Sequence, residues 1–474
     1  MKKTNPHFIL NKYFGYKSFR PGQLKIINNI LDKKDSLSIL PTGGGKSICF
    51  QIPGLIFSGI TLVISPLVSL MKDQVDNLNS KDIRSCYLSG LLSKSQTNTT
   101  YDLIKLNKFK FIYIAPERLK SKRFIKVISK IYISLIVIDE AHCISQWGDS
   151  FRPIYKQITN LTKQFINCPI AAFTATANKK VQTDICNSLN LINPYIYYQS
   201  FKRTNLDIEI INCHNQTIKN ISLIRIIKEH QNEIGIIYCS TRKTTKKLHD
   251  FLNLFNIDSS FYHAGLDKEK KQNIQVSFST GHKKLIIATN AFGMGIDVSN
   301  IRYVIHYQIP SNIENYYQEI GRAGRDNQPS YCYALYSKND EKIQYQLLKT
   351  NKEKIEDFES LKLIFKSNQC RTKGILKYFG EKSIDCKNCD YCKKIRYKSQ
   401  LMIHISNHEI EFLRKLLVIK KNNLNLSRKF PITDTLLIYI ALINPRDIKQ
   451  FISIPGIGLG FINVWYTPIQ QILA

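Results

Sequence analysis

Short apolar runs recur along the chain and are separated by longer segments in which polar and apolar residues mix. The runs are rich in branched residues and do not alternate with polar ones, which is typical of strands buried on both faces of a parallel sheet. The first series lies at residues 36–40, 60–64, 111–114, 135–138 and 170–173. A second series begins near residue 203, with runs at residues 234–238, 285–288 and 303–306. This repetition predicts two α/β units, each built on a parallel sheet.

A glycine-rich turn follows the first apolar run. It consists of Pro41, Thr42, Gly43, Gly44, Gly45, Lys46 and Ser47. Between a strand and a helix, such a turn lets backbone N–H groups converge on phosphates at the positive end of the helix. Lys46 would reach the β- and γ-phosphates, and the Ser47 hydroxyl would ligate Mg²⁺. A flexible turn would explain the glycines alone, but the Lys-Ser pair favours a nucleotide site, although Leu40 replaces the first glycine of the strict pattern.

An acidic pair follows the run at residues 135–138. An acid directly after a buried strand, downstream of a phosphate-binding loop, is where Mg²⁺ is held through a carboxylate. We therefore expect Asp139 to have the metal role and Glu140 to polarise the attacking water. Taken alone, the pair would also suit a helix N-cap with a second acid in the first turn.

The second series of runs has no phosphate-binding loop of its own and carries two arginines instead. Arg322 and Arg325 are three residues apart and so lie on one face of a helix or tight turn. Guanidinium is well suited to stabilise charge on a transferring γ-phosphoryl group. We expect these arginines to complete the nucleotide site from the second unit.

Gln23 lies a short distance upstream of the glycine-rich turn. Its amide could read the edge of an adenine, and a nearby aromatic residue could stack on the base. A polar residue at the N-terminus of the amphipathic stretch from Leu24 to Leu31 would explain Gln23 equally well.

Four of the twelve cysteines form a cluster in the sequence. Cys370 precedes Cys386, Cys389 and Cys392, whose spacing suits a tetrahedral structural zinc site. Thiolates at this spacing also hold iron–sulfur clusters, so the residues alone leave that alternative open. A closed four-thiolate site would have a structural role.

Composition narrows the class of protein. The 474 residues should form about three domains. The formal net charge of +32 favours a polyanionic partner, above all nucleic acid, although part of it reflects a general bias towards Ile, Asn and Lys. No apolar run reaches membrane-spanning length and the N-terminus resembles no secretory signal, so we expect a cytoplasmic protein.

Taken together, these residues resemble the RecQ family of superfamily 2 DNA helicases, from about residue 8 to residue 392. The resemblance implies that Tyr16 stacks on adenine and that Arg20 and Gln23 contact the base. It implies further that Asp297 belongs to the ATP site and that Ser65 and Arg118 belong to motifs that contact the DNA backbone. Thr174-Ala175-Thr176 resembles the motif that links the ATP site to DNA movement, and residues 376–381 resemble the family's zinc module, which favours zinc over iron–sulfur.

The segment from His142 to Pro153 resembles the aromatic-rich loop that senses single-stranded DNA in this family. Trp147 and Phe151 would stack on unpaired bases, each contributing about 1–3 kcal/mol, and Arg152 would meet phosphate. The chain departs from the family pattern at Asp149-Ser150, where His-Asp is usual. It also departs at residues 200–205, which lack the usual Asp and Pro, and at Asn327, where glycine is usual.

The end of the chain resembles the small helical domain found at the C-terminus of RecQ helicases and RNase D. The winged-helix domain of longer RecQ proteins has no counterpart between Cys392 and this domain. The Pro455-Gly456-Ile457-Gly458 turn would either present N–H groups to phosphate or serve as an ordinary interhelical turn. We expect Trp465 and Tyr466 to belong to the core rather than to a base-stacking platform.

The expected architecture is two RecA-like lobes, a zinc-binding module and a small all-α domain, at residues 1–202, 203–338, 339–396 and 405–474. The expected function is ATP-dependent unwinding of duplex DNA with 3′→5′ polarity, driven by DNA-stimulated hydrolysis with Mg²⁺, in recombination and repair. Expected partners are ATP, single-stranded and duplex DNA, and single-strand-binding or repair proteins, at a bacterial nucleoid and without a membrane. Two alternatives stay open: an RNA helicase of the same superfamily, and a DNA-binding or annealing protein whose ATPase is uncoupled.

Overall fold

A computed structural model of the chain describes residues 5–396 and parts of 433–473. In the first range it leaves out residues 42, 67, 91, 147–157, 159–160, 162–164, 166–167, 293–297 and 350. In the second range the described residues are 433, 436–437, 439–440, 445, 447–452, 454, 457 and 459–473.

The first lobe contains a seven-stranded parallel sheet with the strand order β3-β4-β2-β5-β6-β1-β7. Its strands are β1 (Ser36–Ile39), β2 (Ile60–Ile64), β3 (Ser85–Leu88), β4 (Phe111–Ile114), β5 (Ile133–Ile138), β6 (Ile170–Thr174) and β7 (Tyr195–Tyr198). Its helices are α1 (Pro6–Phe14), α2 (Gln23–Leu31), α3 (Lys46–Ile56), α4 (Val68–Asn79), α5 (Lys94–Lys105), α6 (Lys122–Ile128), α7 (Cys143–Gln146) and α8 (Lys179–Leu189), with a 3₁₀ turn at Pro116–Lys120.

The second lobe contains a six-stranded parallel sheet with the order β10-β11-β9-β12-β13-β8. Its strands are β8 (Leu206–Asn212), β9 (Ile234–Tyr238), β10 (Ser260–Tyr262), β11 (Leu285–Ala288), β12 (Ile301–His306) and β13 (Ser330–Tyr336). Its helices are α9 (Gln216–Glu229), α10 (Arg242–Asn253), α11 (Lys268–Ser279) and α12 (Ile313–Ile320).

Both faces of each sheet are buried, which explains the unalternating apolar runs. In β5, Ile136 and Ile138 enter one apolar cluster, whereas Leu135 and Val137 enter a separate one. Because successive side chains of a strand point to opposite faces, two clusters mean that the sheet is covered on both sides.

The predicted zinc module (residues 339–396) packs against the second lobe. Its helices are α13 (Lys338–Leu348), α14 (Lys352–Lys366), α15 (Arg371–Tyr378) and α16 (Asp390–Arg396). A buried ion pair joins α13 to α9, because Lys219 Nζ lies 2.7 Å from both carboxylate oxygens of Asp340 and the side chains are only 2% and 4% exposed.

Beyond residue 396, the described residues include the helices α17 (Ile448–Ile452) and α18 (Leu459–Leu473). Trp465 is fully buried in an apolar cluster shared with the second lobe, which confirms that it belongs to the core. The Tyr439 ring stacks on Phe255 of the lobe at a centroid distance of 4.2 Å. Most of the predicted phosphate-facing turn at residues 455–458 lies outside the described residues.

The predicted fold class is confirmed: two parallel-sheet lobes precede the zinc module, and helices follow it. All eight apolar runs form strands, with ends that differ from the prediction by a few residues. Within the part of the chain that the structure describes, no helix is long and apolar enough to cross a membrane.

The buried ion pair generates a prediction about stability. We expect Lys219→Ala to lower the free energy of unfolding of the second lobe by about 3–5 kcal/mol, because the carboxylate of Asp340 would be left buried without a counter-charge. Thermal and urea unfolding of the purified variant would measure the loss. Lys105→Ala is the matched control, since Lys105 pairs with Asp102 at 2.8 Å but is 51% exposed. A loss no larger than that of the control would contradict the prediction.

Candidate functional site

The glycine-rich turn connects the carboxyl end of β1 to the first residue of α3, which is Lys46. Gly43 and Gly45 have positive φ angles of 82° and 78°, in the left-handed region that glycine tolerates best. The Gly44 N–H donates to Pro41 O at 2.9 Å. The turn therefore has the strand–loop–helix context that the sequence predicted for a phosphate-binding loop.

The acidic pair lies beside this loop, because β5 and β1 both pair with β6 and all three strands end at the same edge. Lys46 Nζ lies 3.1 Å from Glu140 Oε1, and both side chains are largely buried. Asp139 directly follows β5, and its Oδ2 accepts from Ser65 Oγ at 3.5 Å. Ser65 is only 1% exposed, and its hydroxyl faces the acidic pair, while its expected role in DNA binding stays a prediction.

The two acids titrate differently although they are neighbours. Burial, followed by the charge of Glu140, raises the pKa of Asp139 to about 6. Burial also acts to raise the pKa of Glu140, but the charge of Lys46 and the contact with His142 together hold it below its ordinary value. Glu140 therefore keeps its negative charge to lower pH than Asp139 does.

A chain of polar contacts leads from the acids towards the predicted coupling motif. His142 Nδ1 lies 3.3 Å from Glu140 Oε2 and 2.9 Å from Thr174 Oγ1. The Thr174 hydroxyl in turn donates to Thr176 O at 3.0 Å. His142, Thr174 and Thr176 are buried, so these contacts connect the acids to residues 174–176 through the interior of the lobe.

Two of the residues predicted to contact adenine, Arg20 and Gln23, contact the glycine-rich turn. Gln23 is the first residue of α2, and its Nε2 donates to Gly45 O at 3.1 Å and Gly44 O at 3.3 Å. Its Oε1 accepts from the backbone N–H of Arg20, whose guanidinium donates to Gly43 O. Tyr16 is 57% exposed. Gln23 thus begins a helix and also contacts the loop, while its contact with adenine stays a prediction.

The second lobe brings its two arginines to the end of α12. Arg322 is buried and hydrogen bonds to Tyr238, whose pKa burial raises to about 12. Arg325 extends to the first lobe, where a Cβ added at Gly43 would lie 3.5 Å from Arg325 Cγ. The arginine thus lies against the glycine-rich turn across the cleft. Asn327 has a φ of 64°, a left-handed conformation that asparagine tolerates better than most residues, so it can replace the usual glycine.

The four clustered cysteines converge, with all their sulfur atoms within 4.8 Å of one another. Cys370 Sγ lies 3.9 Å from Cys389 Sγ, and Cys386 Sγ lies 4.0 Å from Cys392 Sγ. Four thiolates around a tetrahedral zinc ion are about 3.8 Å apart, so the set fits that metal.

Several predicted site residues lie outside the described residues. They are Thr42 and Asp297 of the nucleotide site and Trp147, Phe151 and Arg152 of the aromatic loop. Arg118, another predicted DNA contact, lies within the described residues. Its side chain is partly exposed, and its guanidinium donates to the Ser89 carbonyl.

One group of polar residues near the site was not predicted. Arg203 and Asn205 lie between the lobes and donate to carbonyl groups beside Arg325, and Glu381 of the zinc module accepts bonds from the same connection. The sequence signals were that residues 200–205 and residues 376–381 correspond to family segments, but neither resemblance assigned a role to these side chains.

Three protein families match successive parts of the chain. Residues 20–184 match DEAD/DEAH box helicases, residues 218–327 match the helicase conserved C-terminal domain, and residues 338–393 match the RecQ zinc-binding family. The third match, together with the four-cysteine cluster, identifies the metal of this module as Zn²⁺ and removes the iron–sulfur alternative.

Individual relatives agree with these matches. The chain is 40% identical over 391 residues to the ATP-dependent DNA helicase RecQ of Pasteurella multocida, covering 81% of this chain and 61% of that protein. It is 40% identical over 397 residues to the Bacillus subtilis protein of the same name, covering 82% and 67%. It is also 41% identical over 393 residues to an Acanthamoeba polyphaga mimivirus protein named as an ATP-dependent RNA helicase, covering 81% and 70%. The chain thus spans about two thirds of the length of these relatives, and it belongs to the RecQ family of helicases.

Proposed function

We propose that the chain is an ATP-dependent DNA helicase that unwinds duplex DNA with 3′→5′ polarity. The observation that carries this proposal is the position of Arg325, which lies against Gly43 of the other lobe. A nucleotide in this cleft would be held by both lobes, so that its hydrolysis would change how they close. Cycles of closing and opening would move the protein along a strand.

In this proposal, the first lobe binds the nucleotide. The backbone of Thr42, Gly43, Gly44 and Gly45 and the Lys46 ammonium hold the phosphates, and Ser47 and Asp139 hold Mg²⁺. Glu140 orients the attacking water, and it exchanges its ion pair with Lys46 for that water when phosphate arrives. Tyr16, Arg20, Gln23 and, from the second lobe, Asp297 complete the nucleotide contacts.

Arg322 and Arg325 supply the positive charge that the transferring phosphoryl group requires. Because they belong to the second lobe, ATP turnover depends on the distance between the lobes. We propose that DNA controls this distance through Trp147, Phe151 and Arg152 of the aromatic loop. Arg118 and Ser65, whose hydroxyl also contacts Asp139, would bind the DNA backbone.

We propose the domain bounds predicted above, with the lobes separated between β7 and β8. We also propose a role in recombination and repair at a bacterial nucleoid with single-strand-binding or repair proteins.

The name of the mimivirus relative favours a second candidate, an RNA helicase. In that case RNA would stimulate ATP turnover.

The first test of the proposed function is ATP turnover with and without single-stranded DNA. We expect DNA to stimulate the wild type and Glu140→Gln to lower turnover by about 100-fold or more, because the water loses its polarising carboxylate. Trp147→Ala should remove the stimulation by DNA but keep the basal rate. Tyr132→Ala is the matched control, since Tyr132 is 64% exposed and precedes β5 at the opposite edge of the sheet from Asp139.

Equal rates with and without DNA would contradict the proposal and support a DNA-binding or annealing protein with an uncoupled ATPase. Stimulation by single-stranded RNA but not by DNA would support the RNA helicase instead. A loss of DNA stimulation in Tyr132→Ala as large as that in Trp147→Ala would contradict the assignment of the aromatic loop.

The zinc ligands generate a separate prediction. We expect about one zinc ion per chain, and we expect Cys389→Ser to lose most of it together with thermal stability, because a closed site needs all four thiolates. Elemental analysis of the purified proteins would measure the metal. Cys186→Ser is the control, since Cys186 is a partly exposed cysteine of α8 outside the cluster. Iron in the wild type, or full zinc in Cys389→Ser, would contradict the ligand assignment.

A further inference from the structure

The connection between the two lobes is short and forms hydrogen bonds with the zinc module and with the second lobe. It runs from the end of β7 at Tyr198 to the start of β8 at Leu206, and we call residues 199–205 the interlobe segment. Phe201 is its apolar anchor: it is 1% exposed, and its ring lies 4.4 Å from Phe379 of the zinc module and 5.3 Å from Tyr317 of α12. The segment is therefore packed into the protein instead of lying free as a linker.

One carboxylate of the zinc module binds this segment at three points. Glu381 accepts from the Phe201 N–H at 3.1 Å, from the Tyr198 hydroxyl at 3.3 Å and from the Ser200 hydroxyl. Hydrogen bonds to an ionised acceptor are about twice as strong as those between neutral groups. Glu381 thus fixes the exit from the first lobe relative to the zinc module.

The zinc-binding loop itself binds the other end of the segment. Asn388, which lies between the ligands Cys386 and Cys389, donates to Leu206 O at 2.8 Å and to Thr204 O at 3.2 Å. Tyr378 adds a direct bridge between the lobes, because its hydroxyl accepts from Asn178 of the first lobe at 3.4 Å and donates to Glu314 of α12. The zinc module therefore contacts both lobes and the segment between them.

The interlobe segment in turn binds the loop that carries the two arginines, residues 321–327. Arg203 donates from Nη2 to Gly324 O at 2.7 Å and to Ala323 O at 3.0 Å. Asn205 donates from Nδ2 to Gly324 O and Gln328 O, both at 2.9 Å. Two of these four bonds meet at the carbonyl group of Gly324, immediately before Arg325.

Gly324 shows how closely this loop follows the segment. Its φ is 57°, and a Cβ added there would lie 2.4 Å from the Asn205 amide nitrogen. The loop is also anchored within its own lobe, by two 2.7 Å bonds from Arg302 to Asp326. Arg203 and Asn205 are therefore the described side chains that link the loop to the connection between the lobes, whereas Arg302 links it to the second sheet.

We propose that Glu381, Arg203 and Asn205 are positioning residues, which transmit the zinc module's hold on the interlobe segment to the arginine loop. The inference rests on the proposed function, since it concerns the placement of Arg325 at the nucleotide. The zinc module then controls the rate of ATP turnover directly and not only through DNA binding. A displacement of a reacting group by about 1 Å can cost about 100-fold in rate, so loss of these bonds should be visible in kcat.

The test compares ATP turnover at saturating single-stranded DNA in Glu381→Gln and Asn205→Asp with the wild type. Glu381→Gln keeps the size of the side chain but replaces one accepting oxygen with an NH₂ group, which cannot accept the hydrogen bonds that the interlobe segment donates. The second presents a carboxylate to two carbonyls. We expect kcat to fall by about 10- to 100-fold in both variants, with KM for ATP and affinity for DNA changed by less than about threefold.

Glu353→Gln is the matched control in the same module. Glu353 faces Lys180 of the first lobe at 3.6 Å, but its side chain is 83% exposed, so its loss should leave kcat unchanged. Zinc content and melting temperature are measured for every variant. Asn205→Asp keeps the test valid if Glu381→Gln disturbs the zinc module, because Asn205 touches no part of that module in its described hydrogen bonds.

A double-mutant cycle separates positioning from general stability. If Glu381 acts through Arg325, adding Glu381→Gln to Arg325→Ala should lower kcat by less than about twofold further. Additive losses, or a wild-type kcat in both Glu381→Gln and Asn205→Asp, would overturn the inference while the proposed function stands. A loss of DNA affinity that fully accounts for the slower turnover would overturn it as well. A wild type that does not hydrolyse ATP would overturn both proposals.

Discussion

The arrangement of this protein depends on one constraint, namely that parallel strands buried on both faces deliver their carboxyl ends to a single edge of the sheet. In the first lobe, β5, β6 and β1 are neighbours, so the residues that follow them meet although they are far apart in sequence. The 3.1 Å ion pair between Lys46 and Glu140 is the direct consequence. The apolar interior of the sheet keeps these charged side chains away from water, and this burial raises the pKa of Asp139. The same packing thus provides stability and prepares the site for Mg²⁺ and phosphate.

In the proposed function, the first lobe supplies only half of the charges that phosphoryl transfer requires. The cations of the other half, Arg322 and Arg325, are on a lobe built in the same way but without a phosphate-binding loop. In such a divided site, catalysis depends on how accurately one lobe is placed against the other. The contact between Arg325 and Gly43 shows that the two halves meet in this structure. The connection between the lobes therefore matters to the chemistry as much as the residues that touch the nucleotide.

The sequence predicted the parts of this structure that follow from local pattern. The eight apolar runs became strands because residues such as Ile136 and Val137 have no polar neighbours to interrupt them. Five strands were not predicted, namely β3, β7, β8, β10 and β13. Three of them are short or irregular in pattern: β10 has three residues, β8 alternates apolar residues with acids at Asp207 and Glu209, and β7 consists of half-exposed tyrosines around Ile196 at a sheet edge. Packing and pairing in the folded sheet, which a local pattern does not show, make these segments extended.

The residues of the nucleotide and zinc sites could be proposed from the sequence, because their chemistry demands fixed residue types at fixed spacings. The structure brings Lys46 to Glu140 and the four cysteines to one another. Two contacts could not be predicted in this way. The motif that assigned Ser65 to DNA does not encode its contact with Asp139, which depends on the pairing of β2 with β5. Glu381 lies in the segment that resembles the zinc module, but it is 180 residues from its partner Phe201, so only the folded chain brings them together.

The zinc module illustrates how a metal can serve a distant site. The buried apolar residues of the module belong to a cluster that it shares with the lobes, and four thiolates around zinc would fix the loop that carries Asn388. The rigid loop places Asn388 against the start of β8, and Asp390 accepts from the Ile210 N–H of that strand while it pairs with Arg371 at 2.8 Å. Each bond is short-range, but they follow one another from the metal to the interlobe segment. Side chains of that segment bind the carbonyl groups beside Arg325. We therefore infer that zinc restricts the position of this arginine in the cleft without any direct contact between metal and nucleotide.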